Sequence, residues 1–235
     1  MIAARGGQAM GLGSFLFGRR TATAPAAARK ARSEARLREE GVPVNPHLPP
    51  VGDGVTALAR PEAEVVERAL GAMIAAVKAE TRDDGFIAKV IAQYRAEDVF
   101  TPLERAFIDD PAPSQEDCTT FVWRSEEVQV LLWAVRLLDA LPYPAGLAPV
   151  PAMGQIMSRL GRDGLVAEAR LRPLAEILDA ADLTARYRWA CANARTNRRT
   201  APSNLDPGVV CERHYAFNWL IGSSGRDWDH ITTDT

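Results

Sequence analysis

The segment that decides the fold lies near the C-terminus and reads Asp206-Pro-Gly-Val-Val-Cys-Glu-Arg-His-Tyr-Ala-Phe-Asn-Trp-Leu-Ile-Gly222. Both of its ends carry helix signals, since Asp206 is a capping acceptor, Pro207 suits the first helical position and Gly222 suits a left-handed stop. At about 100° per residue its apolar side chains form one stripe, and the opposite face is largely aromatic. A helix that is apolar or aromatic nearly all round belongs in the centre of a fold, so the sequence predicts a buried helix here.

Two polar side chains interrupt this predicted helix. Arg213 falls in the middle of the apolar stripe, and His214 lies on its edge. A guanidinium group in an apolar setting needs a carboxylate or several carbonyls, because it cannot lose its charge. We therefore expect any chemistry of the protein to lie near these two residues, and we expect them to meet the C-terminal tail, residues 228–235.

The composition is that of an ordinary globular protein. The chain has 235 residues, of which 47% are hydrophobic and 25% charged, enough for a sizeable core. Its formal net charge of -2 argues against a surface devoted to nucleic acid, although it does not exclude a local basic patch. The cysteines, at positions 118, 191 and 211, form no CxxC motif and are odd in number, which favours a reducing cytoplasm over a disulfide framework.

No stretch of the sequence has the pattern of a membrane span or a secretory signal. No apolar run reaches the ~18–20 residues that cross a bilayer. The stretch Met10-Gly-Leu-Gly-Ser-Phe-Leu-Phe-Gly18 is short, and Arg19-Arg20 follows it instead of preceding it, which is the wrong order for a signal peptide. The sequence therefore predicts a soluble cytoplasmic protein without a transmembrane segment.

The periodicity of the chain predicts an all-α fold. Residues 1–27 are expected to form a flexible or loosely attached arm, with either Met1 or Met10 as the true start. Residues 28–235 are expected to form a single irregular multi-helix domain built around the buried C-terminal helix. Helices are expected at about 27–40, 62–80, 86–94, 102–109, 114–140, 150–160, 174–194 and 207–221. The pattern leaves open whether the 174–194 segment is one helix or two that meet near Asp182.

Four stretches of the sequence are distinctive together. They are Pro43-Val-Asn-Pro-His-Leu-Pro49, Leu171-Arg-Pro-Leu-Ala-Glu-Ile-Leu-Asp179, Glu212-Arg-His-Tyr-Ala-Phe-Asn-Trp-Leu220, and Trp228-Asp229 followed by Thr233-Asp-Thr235. In this order they resemble the bacterial proteins grouped as the domain of unknown function 4272 family, over about residues 29–235. The best matches are Glu212, Arg213, His214, Asn218, Trp219, Trp228 and Asp229. The resemblance implies one α-helical domain and no established activity.

Three residues are candidates for acid–base catalysis, namely Glu212, His214 and Asp229. A histidine beside a buried carboxylate can titrate near neutrality, as such catalysis requires. Glu212 and His214 are two residues apart, however, so on a helix their side chains diverge by about 200° and each needs a partner from another part of the chain. Since buried ion-pair networks resemble active sites, we favour a structural role for these residues.

A further set of residues is expected to form a polar cluster that serves a ligand or the fold. It contains Arg124, Glu127, Arg213, Asn218, Trp219 and Trp228, of which the first two are one turn apart and are expected to pair. A metal site is not expected. Cys211 and His214 share a helix face, and His230 or Asp229 could add a third ligand. A structural zinc site, however, needs four Cys or His ligands. We expect no cofactor.

A basic run near the end of the chain is a candidate surface for nucleic acid. It contains Arg186, Arg188, Arg195, Arg198 and Arg199, interleaved with Tyr187 and Trp189 and without any acidic residue. We favour a solvated helix end, because these arginines are expected to spread around the helix and because cations suit a helix C-terminus.

The sequence assembles no complete set of catalytic or metal-binding residues. The expected function is therefore binding, with an unknown protein or small molecule as the partner. The first alternative is a hydrolase-like enzyme that uses Glu212, His214 and Asp229. The second alternative is nucleic-acid binding through Arg186–Arg199, which we regard as the weaker one.

Overall fold

The fold is seen in a computed structural model that describes residues 24–52, 60–222 and 227–233. These residues contain helices and no strand, which confirms the all-α class. The helices are α1 (Ala24–Glu39), α2 (Glu62–Thr81), α3 (Asp84–Tyr94), α4 (Pro102–Asp109), α5 (Gln115–Val122), α6 (Arg124–Ala134), α7 (Val150–Glu168), α8 (Leu174–Thr196) and α9 (Pro207–Leu220). Short 3-10 turns occupy Pro202–Asn204 and Trp228–His230. None of the helices in the described ranges is long and apolar enough to cross a membrane.

The local start and stop signals of the sequence are confirmed. The carboxylate of Asp206 accepts hydrogen bonds from the backbone N–H groups of Gly208 at 2.8 Å and Val209 at 3.1 Å, and so caps α9. At the other end, Gly222 has the left-handed φ of 60°. Thr101 and Glu104 form the capping box of α4.

The prediction of one continuous helix over 114–140 is wrong, both in its continuity and in its C-terminal end. The segment forms two helices, α5 and α6, separated at Trp123, and the second ends at Ala134. At the break, the hydroxyl of Ser125 donates to the carbonyl of Val122 at 3.0 Å, in competition with the helical hydrogen bond to that carbonyl. The end of α6 is fixed by Arg136, which has a left-handed φ of 62°.

Two other helix boundaries differ from the prediction, and the structure settles whether the 174–194 segment is one helix or two. Helix α1 begins at Ala24, inside the predicted arm, and the rest of the arm lies outside the described residues. Helix α7 continues past the kink at Gly161 (φ 62°, ψ 175°), because Leu165 beyond the kink is fully buried in the core. Helix α8 is one continuous helix from Leu174 to Thr196.

The core forms where α9 packs against α6 and α8, and where α6 packs against α2. The apolar stripe of α9 is buried, with Val209, Val210, Ala216, Phe217 and Leu220 all fully inaccessible. The rings of Trp133 and Phe217 meet edge to face with their centroids 5.9 Å apart, which joins α6 to α9. The prediction of a fold built around a buried C-terminal helix is confirmed.

Several helices of this fold end on an arginine in the left-handed conformation. These residues are Arg82 (φ 52°), Arg95 (φ 50°), Arg136 (φ 62°) and Arg198 (φ 54°), after α2, α3, α6 and α8. Glycine is the usual residue at such positions because it lacks a Cβ. Arginine brings a positive charge to the negative end of the helix dipole instead.

Candidate functional site

Arg213 finds its partners on the α6 side of the core. Its Nη1 donates to the carbonyl of Pro142 at 2.6 Å, and its Nη2 donates to Oε1 of Gln129 at 2.7 Å. The carboxylate of Glu126 lies 3.7 Å from its Nε. The predicted need of this guanidinium for carbonyls and a carboxylate is confirmed. The tail is predicted to meet this arginine, but within the described residues all of these partners lie on α6 or between α6 and α7; residues 234 and 235 of the tail lie outside the described residues.

His214 is buried without a carboxylate partner among the described residues. Burial, and to a lesser extent the positive charge of Arg188, lower its pKa to about 4. Its Nδ1 is buried without a hydrogen-bond partner in the described residues. The imidazole is therefore neutral near pH 7. Within the described residues, no carboxylate lies beside this histidine to keep it titrating near neutrality.

Glu212 lies against Glu127, on the other side of α9. Burial raises the pKa of Glu127 well above its ordinary value, against the opposing charge of Arg124, and Glu212 raises it further. Burial also raises the pKa of Glu212, while the hydrogen bond with Glu127 acts in the opposite direction. Burial and the contact between the two carboxyl groups thus both disfavour a second negative charge in this pair.

Arg124 holds this carboxyl pair from the start of α6. Its Nη1 donates to Oε1 of Glu127 at 2.8 Å and to Oε2 at 3.1 Å, which confirms the predicted pair. The guanidinium also lies against the rings of Phe121, Tyr215 and Trp228, at 5.6, 5.4 and 5.9 Å from their centroids. This arginine connects the carboxyl pair to the aromatic side chains of α5, α9 and the tail.

A second buried ion pair adjoins the first. Arg68 of α2 binds Glu104 of α4, and the guanidinium lies 5.0 Å from the ring centroid of Trp228. We name Arg68, Glu104, Arg124, Glu127 and Glu212 the charge cluster. It holds two guanidinium groups and three carboxyl groups.

The tail is attached to this cluster mainly through its backbone. The hydroxyl of Tyr215 donates to the carbonyl of Trp228, and the side-chain amide of Asn218 donates to the carbonyl of Thr232 at 2.9 Å. Oδ2 of Asp229 accepts from the backbone N–H of Leu103 at 3.1 Å. The rings of Trp219 and Trp228 meet edge to face at 5.0 Å.

The three predicted acid–base candidates have different neighbours. Glu212 meets Glu127, His214 is near Arg188, and Asp229 binds the start of α4. No hydrogen bond in the described part of the chain joins any two of the three. The polar cluster predicted around Arg124, Glu127 and Trp228 is one site, whereas Arg213 belongs to a separate contact with α6.

A second candidate site is a cavity between the end of α8 and the start of α9. Its volume is about 590 Å³. We name it the arginine pocket, and its lining is Arg188, Cys191, Ala192, Arg195, Arg198, Arg199, Ala201, Pro207, Gly208 and Cys211. No carboxylate is among these residues. None of its four arginines forms an ion pair with a residue that the structure describes.

The backbone at the end of α8 explains why the arginines converge. Arg188 and Arg195 are seven residues apart, so they lie two turns apart on one face of the helix. The N–H of Arg198 then donates to the carbonyl of Arg195 at 3.0 Å, and the N–H of Arg199 donates to that of Ala194 at 2.8 Å. These bonds turn the chain back toward α9. The expected spread of these arginines around the helix is therefore wrong for this group.

Arg186 does not belong to this pocket. It is buried and its guanidinium binds Asp182, with Nε 2.8 Å from Oδ2. The aromatic residues of the basic run are also engaged in the protein: the hydroxyl of Tyr187 donates to Glu40, and Trp189 packs against the apolar cluster beside it. A nucleic-acid surface over Arg186–Arg199 would thus lack one of its arginines and both of its stacking rings.

Sequence reasoning missed Arg68 and Glu104 of the charge cluster and the pocket itself. One signal for Arg68 and Glu104 was available, because a glycine such as Gly71 in the middle of a helix is unfavourable unless another group packs closely against it. A Cβ at Gly71 would lie 2.5 Å from Nη2 of Arg68 and 2.9 Å from the carbonyl of Val99. For the arginine pocket, the available signal was the seven-residue spacing of Arg188 and Arg195.

No group of three or more potential metal ligands occurs among the residues that the structure describes. Cys211, which shares a face of α9 with His214, places its Sγ 3.6 Å from the hydroxyl of Thr233. It also lines the arginine pocket.

Comparison with known proteins agrees with the motifs of the sequence. The chain belongs to the family described as Domain of unknown function (DUF4272), whose profile matches residues 29–231. No curated protein and no solved structure matches the chain. The family match covers both the charge cluster and the arginine pocket.

Proposed function

We propose that the protein acts by binding a small anionic ligand in the arginine pocket. The observation that carries the proposal is the presence of four guanidinium groups around one cavity of about 590 Å³ without a carboxylate in its lining. Pockets for small ligands commonly measure about 300–1,000 Å³. An anion is the ligand that such a lining recognises, because guanidinium groups form paired hydrogen bonds with phosphate and carboxylate oxygens.

Several other arginines in the described chain pair with carboxylates, whereas none of the four pocket arginines does so with a described residue. Arg32 binds Asp179 at 2.7 Å, and Arg162 lies 2.8 Å from both Glu67 and Asp98. In the pocket, the four positive charges repel one another and lower the stability of the ligand-free protein. A bound anion removes that repulsion, and this difference in free energy favours binding.

Thermal unfolding in sulfate tests the proposal. The melting temperature of the wild-type chain is expected to rise with sulfate concentration, relative to chloride at the same ionic strength, because a ligand that binds only the folded state stabilises it. The variant Arg195→Glu/Arg199→Glu is expected to lose this rise. Arg159→Glu/Arg95→Glu changes the net charge equally at exposed positions away from the pocket and should keep it. Equal rises in all three proteins would disprove a specific anion site.

A second candidate function is acid–base catalysis by the carboxyl pair of the charge cluster. The observation that favours it is the buried contact of Glu127 with Glu212, where burial raises the pKa of Glu127 well above its ordinary value, since a carboxyl group with a raised pKa can act as a general acid. Glu212 is half-buried, so it is the member of the pair that a substrate can reach. This pair, with Arg124 beside it, replaces the arrangement of Glu212, His214 and Asp229 in the hydrolase alternative.

Screening the purified protein against broad panels of ester, glycoside and phosphate substrates tests this second candidate. Activity is expected to fall at least 100-fold in Glu212→Gln, since catalysis by a positioned acid or base contributes about 10²–10⁴-fold. Glu116→Gln, at an exposed position on α5, is the matched control. A wild-type protein that turns over none of these substrates would eliminate the candidate.

We also infer a reducing, cytoplasmic location from the cysteines. Cys118, Cys191 and Cys211 are all free thiols, and burial raises the pKa of Cys191 to about 11. Thiol counting on protein purified from its native cell without reductant is expected to recover three thiols; a disulfide in that material would contradict this location.

A further inference from the structure

The arginine pocket carries more charge than a single phosphate group neutralises. Four arginines line the cavity, and the carboxylate of Asp206, the residue before α9, caps that helix. A phosphate monoester carries a charge of about -1.5 to -2 at pH 7. Two linked phosphate groups carry roughly -3, which comes much closer to the charge of the pocket.

The arrangement of the arginines also exceeds what one phosphate can engage. Arg188 and Arg195 start about 10 Å apart along α8, at 1.5 Å of rise per residue. Arg198 and Arg199 approach from the turn that follows the helix. A guanidinium group prefers to bind two oxygens at once, and a terminal phosphate offers three, so two linked phosphates can pair with more of the four arginines than one phosphate can.

The rest of the lining favours a compact ligand over a nucleic-acid strand. Between the arginines it consists of alanine, cysteine, proline and glycine, with no aromatic ring on which a base can stack. Of the aromatic residues in the same segment, Tyr187 is buried and Trp189 is partly buried against an apolar cluster, and neither lines the cavity. Recognition therefore rests on the phosphate groups.

We propose that the arginine pocket is a site for a small ligand that carries a diphosphate group. This inference rests on the proposed anion-binding function and narrows it to one chemical class. The site uses Arg188 and Arg195 from α8 and Arg198 and Arg199 from the turn after it.

Calorimetric titration of the full chain with inorganic pyrophosphate tests the inference, with orthophosphate, citrate and a single-stranded oligonucleotide as competing probes. Pyrophosphate is expected to bind at least 10-fold more tightly than orthophosphate or citrate at the same ionic strength. Arg195→Ala and Arg199→Ala are each expected to weaken pyrophosphate binding about 10-fold. Arg159→Ala, an exposed arginine on α7, should leave it unchanged.

The possible failures are distinguishable. Citrate binding as tight as that of pyrophosphate, with the same dependence on Arg195 and Arg199, would overturn the diphosphate site and leave the proposed anion-binding function intact. Tighter binding of the oligonucleotide, at equal phosphate concentration, would replace the small ligand with nucleic acid. Absence of binding by every probe would remove both proposals.

Discussion

The charge cluster and the arginine pocket use the same cation in opposite ways. In the cluster, Arg68 and Arg124 are buried, and carboxyl groups cancel their charge. In the pocket, Arg195 and Arg199 are exposed and have no carboxylate in the described residues around them. The difference indicates that α9 serves the fold on its Glu212 face, whereas the surface near its start is the one that we propose for a ligand.

Removal of the cluster's central cation should have the largest effect. Arg124→Met is expected to lower the free energy of unfolding by about 3–5 kcal/mol, because it leaves a buried carboxyl pair without its cation. Urea unfolding at pH 7 measures this loss. The matched control is Arg32→Met, which breaks a more exposed pair with Asp179 and should cost about 0–1 kcal/mol.

A double variant sharpens this result. Arg124→Met/Glu127→Met removes the fully buried carboxyl group together with its cation and is expected to recover part of the loss, because only the half-buried Glu212 remains. Equal losses in Arg124→Met and Arg32→Met would show that the cluster does not depend on its charge balance, and would erase the contrast with the pocket.

His214 should produce the next largest effect, as a dependence of stability on pH. Its folded pKa of about 4 lies below the unfolded value of 6.5, so the folded state binds fewer protons between these two values. The contribution is present above pH 6.5 and is lost as the pH falls toward 4, to a total of about 3 kcal/mol.

Unfolding curves of the wild type and His214→Gln across this pH range measure the difference. The variant should lose less stability on acidification, and His47→Gln, at an exposed histidine, should follow the wild type. Parallel pH profiles for the wild type and His214→Gln would mean that His214 takes up a proton as easily in the folded chain as in the unfolded one.

The pocket arginines should have the smallest effect on stability. Arg195→Ala/Arg199→Ala is expected to change the free energy of unfolding by less than about 0.5 kcal/mol in the absence of anions, since exposed side chains without partners contribute little. Any gain should appear at low salt and vanish at high salt, as repulsion is screened. A decrease above about 2 kcal/mol in the free energy of unfolding would show that these arginines stabilise the fold, as those of the charge cluster do.

The parts of the structure that sequence could predict are local in the chain. The cap of Asp206 on α9 and the pair of Arg124 with Glu127 each involve residues within one turn, so pattern alone places them. The pattern of α9 also predicts its burial, because only a central position covers both of its faces.

The parts that could not be predicted depend on contacts between distant residues. Glu127 meets Glu212, and Arg68 meets Glu104, only after the helices have packed. His214 is a similar case, since its lowered pKa depends on burial and on Arg188 from another helix. The grouping of the pocket arginines depends on the left-handed turn at Arg198, a conformation for which the sequence offers no glycine.

The arginines that follow α2, α3, α6 and α8 are positions at which substitution is expected to raise the stability of the protein. Each of Arg82, Arg95, Arg136 and Arg198 holds a conformation that costs an L-residue about 1–2 kcal/mol and costs glycine much less. Glycine at the first three positions offers a route to a more heat-resistant protein. The same exchange at Arg198 would set heat resistance against ligand affinity, so this one helix end is where the two properties are in conflict.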